Sequence, residues 1–226
     1  MKPNVYVTRL LSWPYLEHCA LFFLLSVFVL RNLPVLGSLI FGLAEYPASL
    51  GGDSGRYTSG ADHWIAGQPL IEKQASYLGY ILVLAGLHSL SLAYDWVIVV
   101  QCVCTAAAAC AVYALGRDVG GPFAGFLAAF WLVENPDIAI WNRYVLTDSL
   151  YISSVVVTLW LWHRSAAAWK LGWSLAAVAW LVWTVSIRPN GWVLVPLAAL
   201  YFAFRLGGWK ALLTGALPVL VLLVAA

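Results

Sequence analysis

Apolar runs recur at about residues 10–30, 77–93, 96–116, 119–133, 149–163, 171–187, 190–204 and 211–226, and the short stretches between them carry nearly all the charge. Runs of this length read as helices, and a helix needs roughly 20 mainly apolar residues to cross a bilayer. Eight candidate spans follow. The loops decide among them, because basic residues in short loops collect on the cytoplasmic face. If all eight span, the Arg117 loop and the Arg205 and Lys210 pair lie opposite Lys2 and Arg9. If 77–93 instead lies along the outer interface, then Lys2, Arg9, Arg117, Arg164, Lys170, Arg205 and Lys210 share the cytoplasmic side. His88, Ser89 and Ser91 interrupt that run, and Tyr94-Asp95-Trp96 suits an interfacial edge. The expected fold is therefore all-α, a polytopic membrane protein with a cytoplasmic N-terminus. About seven transmembrane helices are expected, at 10–30, 96–116, 119–133, 149–163, 171–187, 190–204 and 211–226, in one module over 1–226.

That topology leaves a long outer first loop, about 31–95, punctuated by Pro34, Pro47, Pro69 and Gly51-Gly52. Tyr57, Ala61 and Trp64 recur in it at helical spacing, which predicts a short amphipathic juxtamembrane helix lying on the membrane. Composition agrees with membrane insertion: 63% of the 226 residues are hydrophobic and 10% charged, and the mean hydropathy is +0.85. Cytosolic enzymes, secreted disulfide scaffolds and nucleic-acid binders are excluded on that balance. The net charge of +2 indicates no polyanionic partner. Cys19, Cys102, Cys104 and Cys110 sit in apolar helical stretches without histidines at metal-ligand spacing and read as small hydrophobic residues. The first apolar stretch runs past residue 28 with no small-residue cleavage site after it, so it reads as an attached helix. Tryptophans such as Trp13, Trp96, Trp141, Trp169 and Trp209 fall near span ends, as an aromatic belt requires.

The outer side carries most of the acidic residues, and a few polar groups there need a reason. Asp53 sits in the turn-rich Gly51-Gly52-Asp53-Ser54-Gly55, where a solvated turn aspartate is the plain reading. Asp148 follows Thr147 at the start of a span, where either side chain can cap the helix. A carboxylate there is kept ionised by the helix dipole and can also orient a substrate or bind a metal. Arg188, in Ser186-Ile187-Arg188-Pro189-Asn190-Gly191, breaks two apolar spans with a full charge. It either snorkels to the interface or faces a polar cavity, where a guanidinium binds phosphate well. Arg143, in Trp141-Asn142-Arg143-Tyr144, and Lys73, in Ile71-Glu72-Lys73-Gln74, fall on the same side. Three cations and two carboxylates facing one compartment suit a reaction in which a phosphate leaves.

The order of these motifs resembles the polyprenyl-phosphate-sugar-dependent glycosyltransferases of the GT-C fold, in particular the protein O-mannosyltransferase and aminoarabinose transferase group. Arg31-Asn32-Leu33-Pro34 closes the first span. Asp53-Ser54-Gly55-Arg56-Tyr57 resembles the family's Asp-Glu-x-x-Tyr signature, and Glu72-Lys73 stands where the family has Glu-Lys-Pro-Pro. Arg143-Tyr144-Val145-Leu146-Thr147-Asp148 is similar to a second-loop motif, and Arg188-Pro189 to an arginine between later spans. Ser54 departs from the glutamate of many relatives, and Gln74-Ala75 from Pro-Pro.

The resemblance covers about residues 10–205 and implies transfer of a sugar from a polyprenyl-phosphate carrier to an acceptor at the extracytoplasmic face. It implies Asp53 as general base, with Asp148 orienting the acceptor or sharing a divalent cation with it. Lys73, Arg143 and Arg188 would hold the lipid phosphate, with Tyr57 and Glu72 supporting; metal use stays open. Relatives continue with further spans, so an N-terminal membrane module is expected, to be completed by partner proteins in one version. The alternative is a non-catalytic transmembrane subunit, packed through small-residue faces such as Ala107 with Ala111 and Gly121 with Gly125.

Overall fold

The computed structural model describes residues 14–41, 51–71, 73–168 and 170–206, all in helices and the turns between them. Eight α-helices are present there: α1 (Pro14–Phe41), α2 (Ser54–Ile65), α3 (Leu78–Ser89), α4 (Val97–Glu134), α5 (Pro136–Trp141), α6 (Thr147–Ala167), α7 (Leu171–Ile187) and α8 (Leu194–Leu206). Three 3-10 turns, Gln74–Tyr77, Tyr94–Trp96 and Pro189–Val193, join or precede them. The described residues contain two segments long and apolar enough to cross a membrane, Cys19–Phe41 and Tyr94–Glu134. The expected span at 211–226, the terminal charges Lys2, Arg9 and Lys210, and Glu72 lie outside the described residues.

The first helix is longer than the charge pattern predicts. It does not end at residue 30 but runs through Arg31 and Pro34 to Phe41. The reason is that Arg31 has a partner: its Nη1 donates to Glu134 at 3.2 Å, with Val133 O at 3.5 Å. A neutralised arginine does not have to leave an apolar segment. Asn32, also buried, donates back to Phe28 O at 2.9 Å and so adds no unsatisfied amide donor.

α4 holds two helices rather than one. Gly121 has φ 84° and ψ 177°, a conformation essentially confined to glycine, and Pro122 follows it. The chain reverses there. Residues 97–120 and 122–134 then pack side by side so closely that a Cβ on Gly125 would lie 2.5 Å from Tyr113 O. The small-residue pairing is thus Gly116 against Gly125, whereas Gly121 makes the turn. Leu24 of α1 joins Tyr113 and Ala129 in a small core across this hairpin.

α2 forms where helical spacing predicts it, and its apolar face packs on protein. Tyr57 (3% exposed) and Ala61 (0%) turn into the main core against Tyr80, Ile81 and Leu84 of α3, while Trp64 stays exposed. Tyr57 meets Tyr77 and Tyr80 edge-on at about 5 Å between ring centroids, the geometry aromatic quadrupoles favour. α3 packs one face, Gly79, Tyr80, Ile81, Leu84 and Ala85, on protein, and its 12 residues make a rod of about 18 Å. A second core joins α6, α7 and α8 around Leu161, Leu181, Ala198 and Phe202. Polar contacts tie the same helices: Thr158 to Thr184 at 3.0 Å, Ser165 to Ser174 at 2.9 Å, and Trp180 Nε1 to Ser154 O at 3.2 Å. Such hydroxyl pairs replace the hydrophobic drive that lipid surroundings remove. Trp160, Trp162, Trp173 and Trp180 therefore pack between helices, an interior use of tryptophan beyond the belt.

Candidate functional site

Three distant segments meet at one end of the bundle. The turn Gly51-Gly52-Asp53 with the first turn of α2, the segment 140–148 and Arg188 line a cleft of about 570 Å3.

The α2 turn is fixed by Ser54, which is 2% exposed. Its backbone N donates to Gly51 O at 2.9 Å, its hydroxyl accepts from Gly51 N at 3.0 Å, and Oγ lies 3.0 Å from Val145 O, 91 positions away. Ser54 thus acts as a clasp between two walls of the cleft. Asp53 directly precedes it, with half its side chain exposed, and accepts from Arg56 Nη2 at 3.1 Å. Tyr57, one turn later, presents its ring to the cleft while packed against the core. Burial raises the Tyr57 phenol above its ordinary value, with the neighbouring Thr147 hydroxyl pulling the other way, so at neutral pH it is a neutral donor.

The opposite wall is the entry to α6. Neither Thr147 nor Asp148 caps the helix as expected: Leu146 occupies the N-cap, and the buried Thr147 hydroxyl lies beside the Tyr57 phenol. Asp148 lies in the first turn, where the dipole favours a carboxylate. Arg188 Nη1 donates to Asp148 Oδ1, and both side chains are mostly shielded. Arg188 leaves the end of α7 with extended backbone (φ −153°, ψ 136°). Burial alone would lower its affinity for the proton, but the bond to Asp148 and that carboxylate's charge more than offset it.

A buried polar layer lies beneath this wall. Gln101 Nε2 donates to Leu146 O at 2.7 Å and reaches Tyr80 Oη at 3.4 Å. Thr105 Oγ1 is 3.1 Å from Asn142 Oδ1 and 3.2 Å from Ser153 Oγ, and Ser149 Oγ also donates to Asn142. Gln101, Thr105, Asn142 and Ser149 are at most 1% exposed. Nothing in a polytopic sequence singles these residues out, because each is an uncharged side chain inside an apolar run.

Of the residues predicted for the site, Asp53, Tyr57, Asp148 and Arg188 are brought together. Lys73 and Arg143 are exposed and do not line the cleft; Trp141 and Tyr144, the neighbours of Arg143, do. Trp141, predicted as a belt anchor, is therefore a wall of the cleft. The turn after Lys73 is pinned to α2 by buried Gln74, which accepts from Ile71 N at 2.9 Å and donates to Ser59 Oγ at 3.1 Å. Glu72 lies outside the described residues. Asp53 and Asp148 each have one carboxylate oxygen paired with an arginine.

The fold and cleft define a helical membrane protein with paired carboxylates and guanidinium groups at one end of its bundle. Residues 78–226 match the family described as dolichyl-phosphate-mannose-protein mannosyltransferase, and the chain belongs to that family. It is a family of membrane glycosyltransferases whose sugar donor is carried on a polyprenyl phosphate. The match includes Arg143, Asp148 and Arg188, and it begins after Asp53, Tyr57 and Lys73. No curated protein matches the chain.

Proposed function

We propose that the cleft is the site at which a sugar passes from a polyprenyl-phosphate carrier to an acceptor hydroxyl at the extracytoplasmic face. The observation that carries this reading is the meeting of Asp53, Tyr57, Asp148 and Arg188, drawn from three separate parts of the sequence, in one cleft. Asp53 is the general base: it is the exposed carboxylate at the cleft and can reach a bound hydroxyl. As its oxygen takes the acceptor proton, the acceptor oxygen bonds to the anomeric carbon and the bond to the phosphate oxygen breaks, with inversion. The negative charge that develops on the leaving phosphate meets Arg188, with Lys73 and Arg143 at the approaches, and such preorganised charge is usually the largest catalytic term. Asp148 holds the Arg188 fork in place, and Tyr57 offers a neutral donor to the same phosphate.

The topology proposed with it has seven spans and a cytoplasmic N-terminus. It is supported by the reversal at Gly121, which divides α4 into two helices packed side by side. The test is Asp53→Asn in membranes supplied with lipid-linked sugar. Transfer should fall to background while the helical circular dichroism spectrum stays unchanged; activity near wild type removes Asp53 from the role of base.

One observation favours the second reading, a non-catalytic subunit: Arg188 and Asp148 already neutralise each other. That reading predicts normal assembly and undiminished cellular glycosylation for Asp53→Asn, and failure of assembly for bulky residues at Gly125.

A further inference from the structure

At the end of the bundle opposite the cleft, a larger groove of about 640 Å3 opens between α4, α6 and α8. Its chemistry is graded along the helix axes. On α6, Leu159 and Trp162 lead to His163, and on α8, Leu197 and Tyr201 lead to Arg205. Both helices run away from the cleft, so the apolar members of each stripe lie toward the middle of the bundle, and His163 and Arg205 toward its far end.

The surroundings add to that charge. Among the described residues this end carries Arg117, Arg164, Lys170 and Arg205 against Asp118, with Glu17 in the first turn of α1 at the same end. Asp118 is shared by Arg117 at 3.5 Å, His163 at 3.4 Å and Arg164 at 3.8 Å. Arg164 also lies over the Trp173 ring at 5.6 Å, which fixes it beside the groove's α6 wall. An excess of fixed cations above an apolar slot, in that order along the membrane normal, is complementary to a phosphate on a hydrocarbon chain.

We propose that this groove binds one anionic phospholipid of the leaflet at that face, its phosphate at Arg205 and His163 and an acyl chain along Leu159, Leu197 and Tyr201. The site is separate from sugar transfer and needs only that the bundle is inserted. In the topology proposed above, the lipid comes from the cytoplasmic leaflet.

The test uses the full chain in mild detergent, offered phosphatidylglycerol or phosphatidylcholine with identical acyl chains, with bound lipid counted by native mass spectrometry. One phosphatidylglycerol per chain should be retained, at an affinity about fivefold above phosphatidylcholine for each cation engaged. Arg205→Gln, at an exposed helix end, should cost about that factor and leave phosphatidylcholine retention unchanged. Leu197→Trp fills the groove and should lower retention of both lipids, with helix content checked by circular dichroism. Equal retention of the two lipids by the wild type overturns the proposal, as does a phosphatidylglycerol preference undiminished by Arg205→Gln. Should Leu197→Trp fail to fold, the Arg205→Gln comparison decides by itself.

Discussion

Asp148 and Arg188 illustrate how a single contact can serve two ends. Each is largely shielded, so removing one leaves the other's charge without compensation, and a one-sided loss of a buried pair is costly. Asp148→Asn and Arg188→Gln are each expected to destabilise the folded chain. The double variant should recover part of that loss, with a coupling on the order of 1–3 kcal/mol in a double-mutant cycle of thermal or denaturant unfolding. Tyr57 gives a pH signature. Because burial raises its folded-state pKa above the unfolded value, its contribution is fully present below about pH 10, the ordinary phenol value, and is lost as pH rises through the folded value. Tyr57→Phe should flatten the alkaline decline of the melting temperature above about pH 10; an unchanged profile would show that other groups set it. At this scale the sequence was informative about charge. Asp53, Asp148 and Arg188 are legible because a charge in an apolar chain demands a partner, whereas Gln101 and Asn142 do equal structural work with side chains that carry no such demand.

Helices were legible as apolar runs, but their ends were not. Arg31 looks like a terminus until Glu134, about a hundred positions away, is known to neutralise it, and tertiary pairing of that kind is invisible to a window of twenty residues. The reversal at Gly121 was readable as a break between 116 and 119 only to within a few residues, since the pattern locates the polar gap and not the residue that bears positive φ. Gly125→Leu should force the two halves of α4 apart, costing about 1–3 kcal/mol or more in unfolding free energy. Gly121→Ala should cost a similar amount through backbone strain, about 1–3 kcal/mol. If neither variant lowers the melting temperature, the close hairpin is wrong. Gln101→Leu tests the layer under the cleft: losing the bond to Leu146 O should cost about 1–3 kcal/mol and reduce transfer through a lower kcat, with proper insertion retained.

For the molecule as a whole, the amphipathic period of α2 and the interruptions in α3 point to a membrane surface, and the structure adds that α2 packs on α3 and α3 on α7. Period tells that one face is apolar and is silent on what covers it. Orientation is testable without any substrate. In sealed vesicles of known sidedness, a cysteine at Gly52 should react with an impermeant maleimide from the extracytoplasmic side only, and one at Lys170 from the cytoplasmic side only; the opposite pattern inverts the topology and places the cleft in the wrong compartment for a lipid-linked sugar.

The 21 residues of α6 make a rod of about 31 Å, pinned at its first turn by Arg188 and near its last by Asp118. Two clamps on one rigid strut turn it into a gauge of bilayer thickness. A thinner membrane can be accommodated only if the strut leans, and leaning carries Asp148 sideways relative to Asp53. Host lipids with shorter tails should therefore slow the reaction without altering a single residue, a dependence that a loosely tethered loop site would not show.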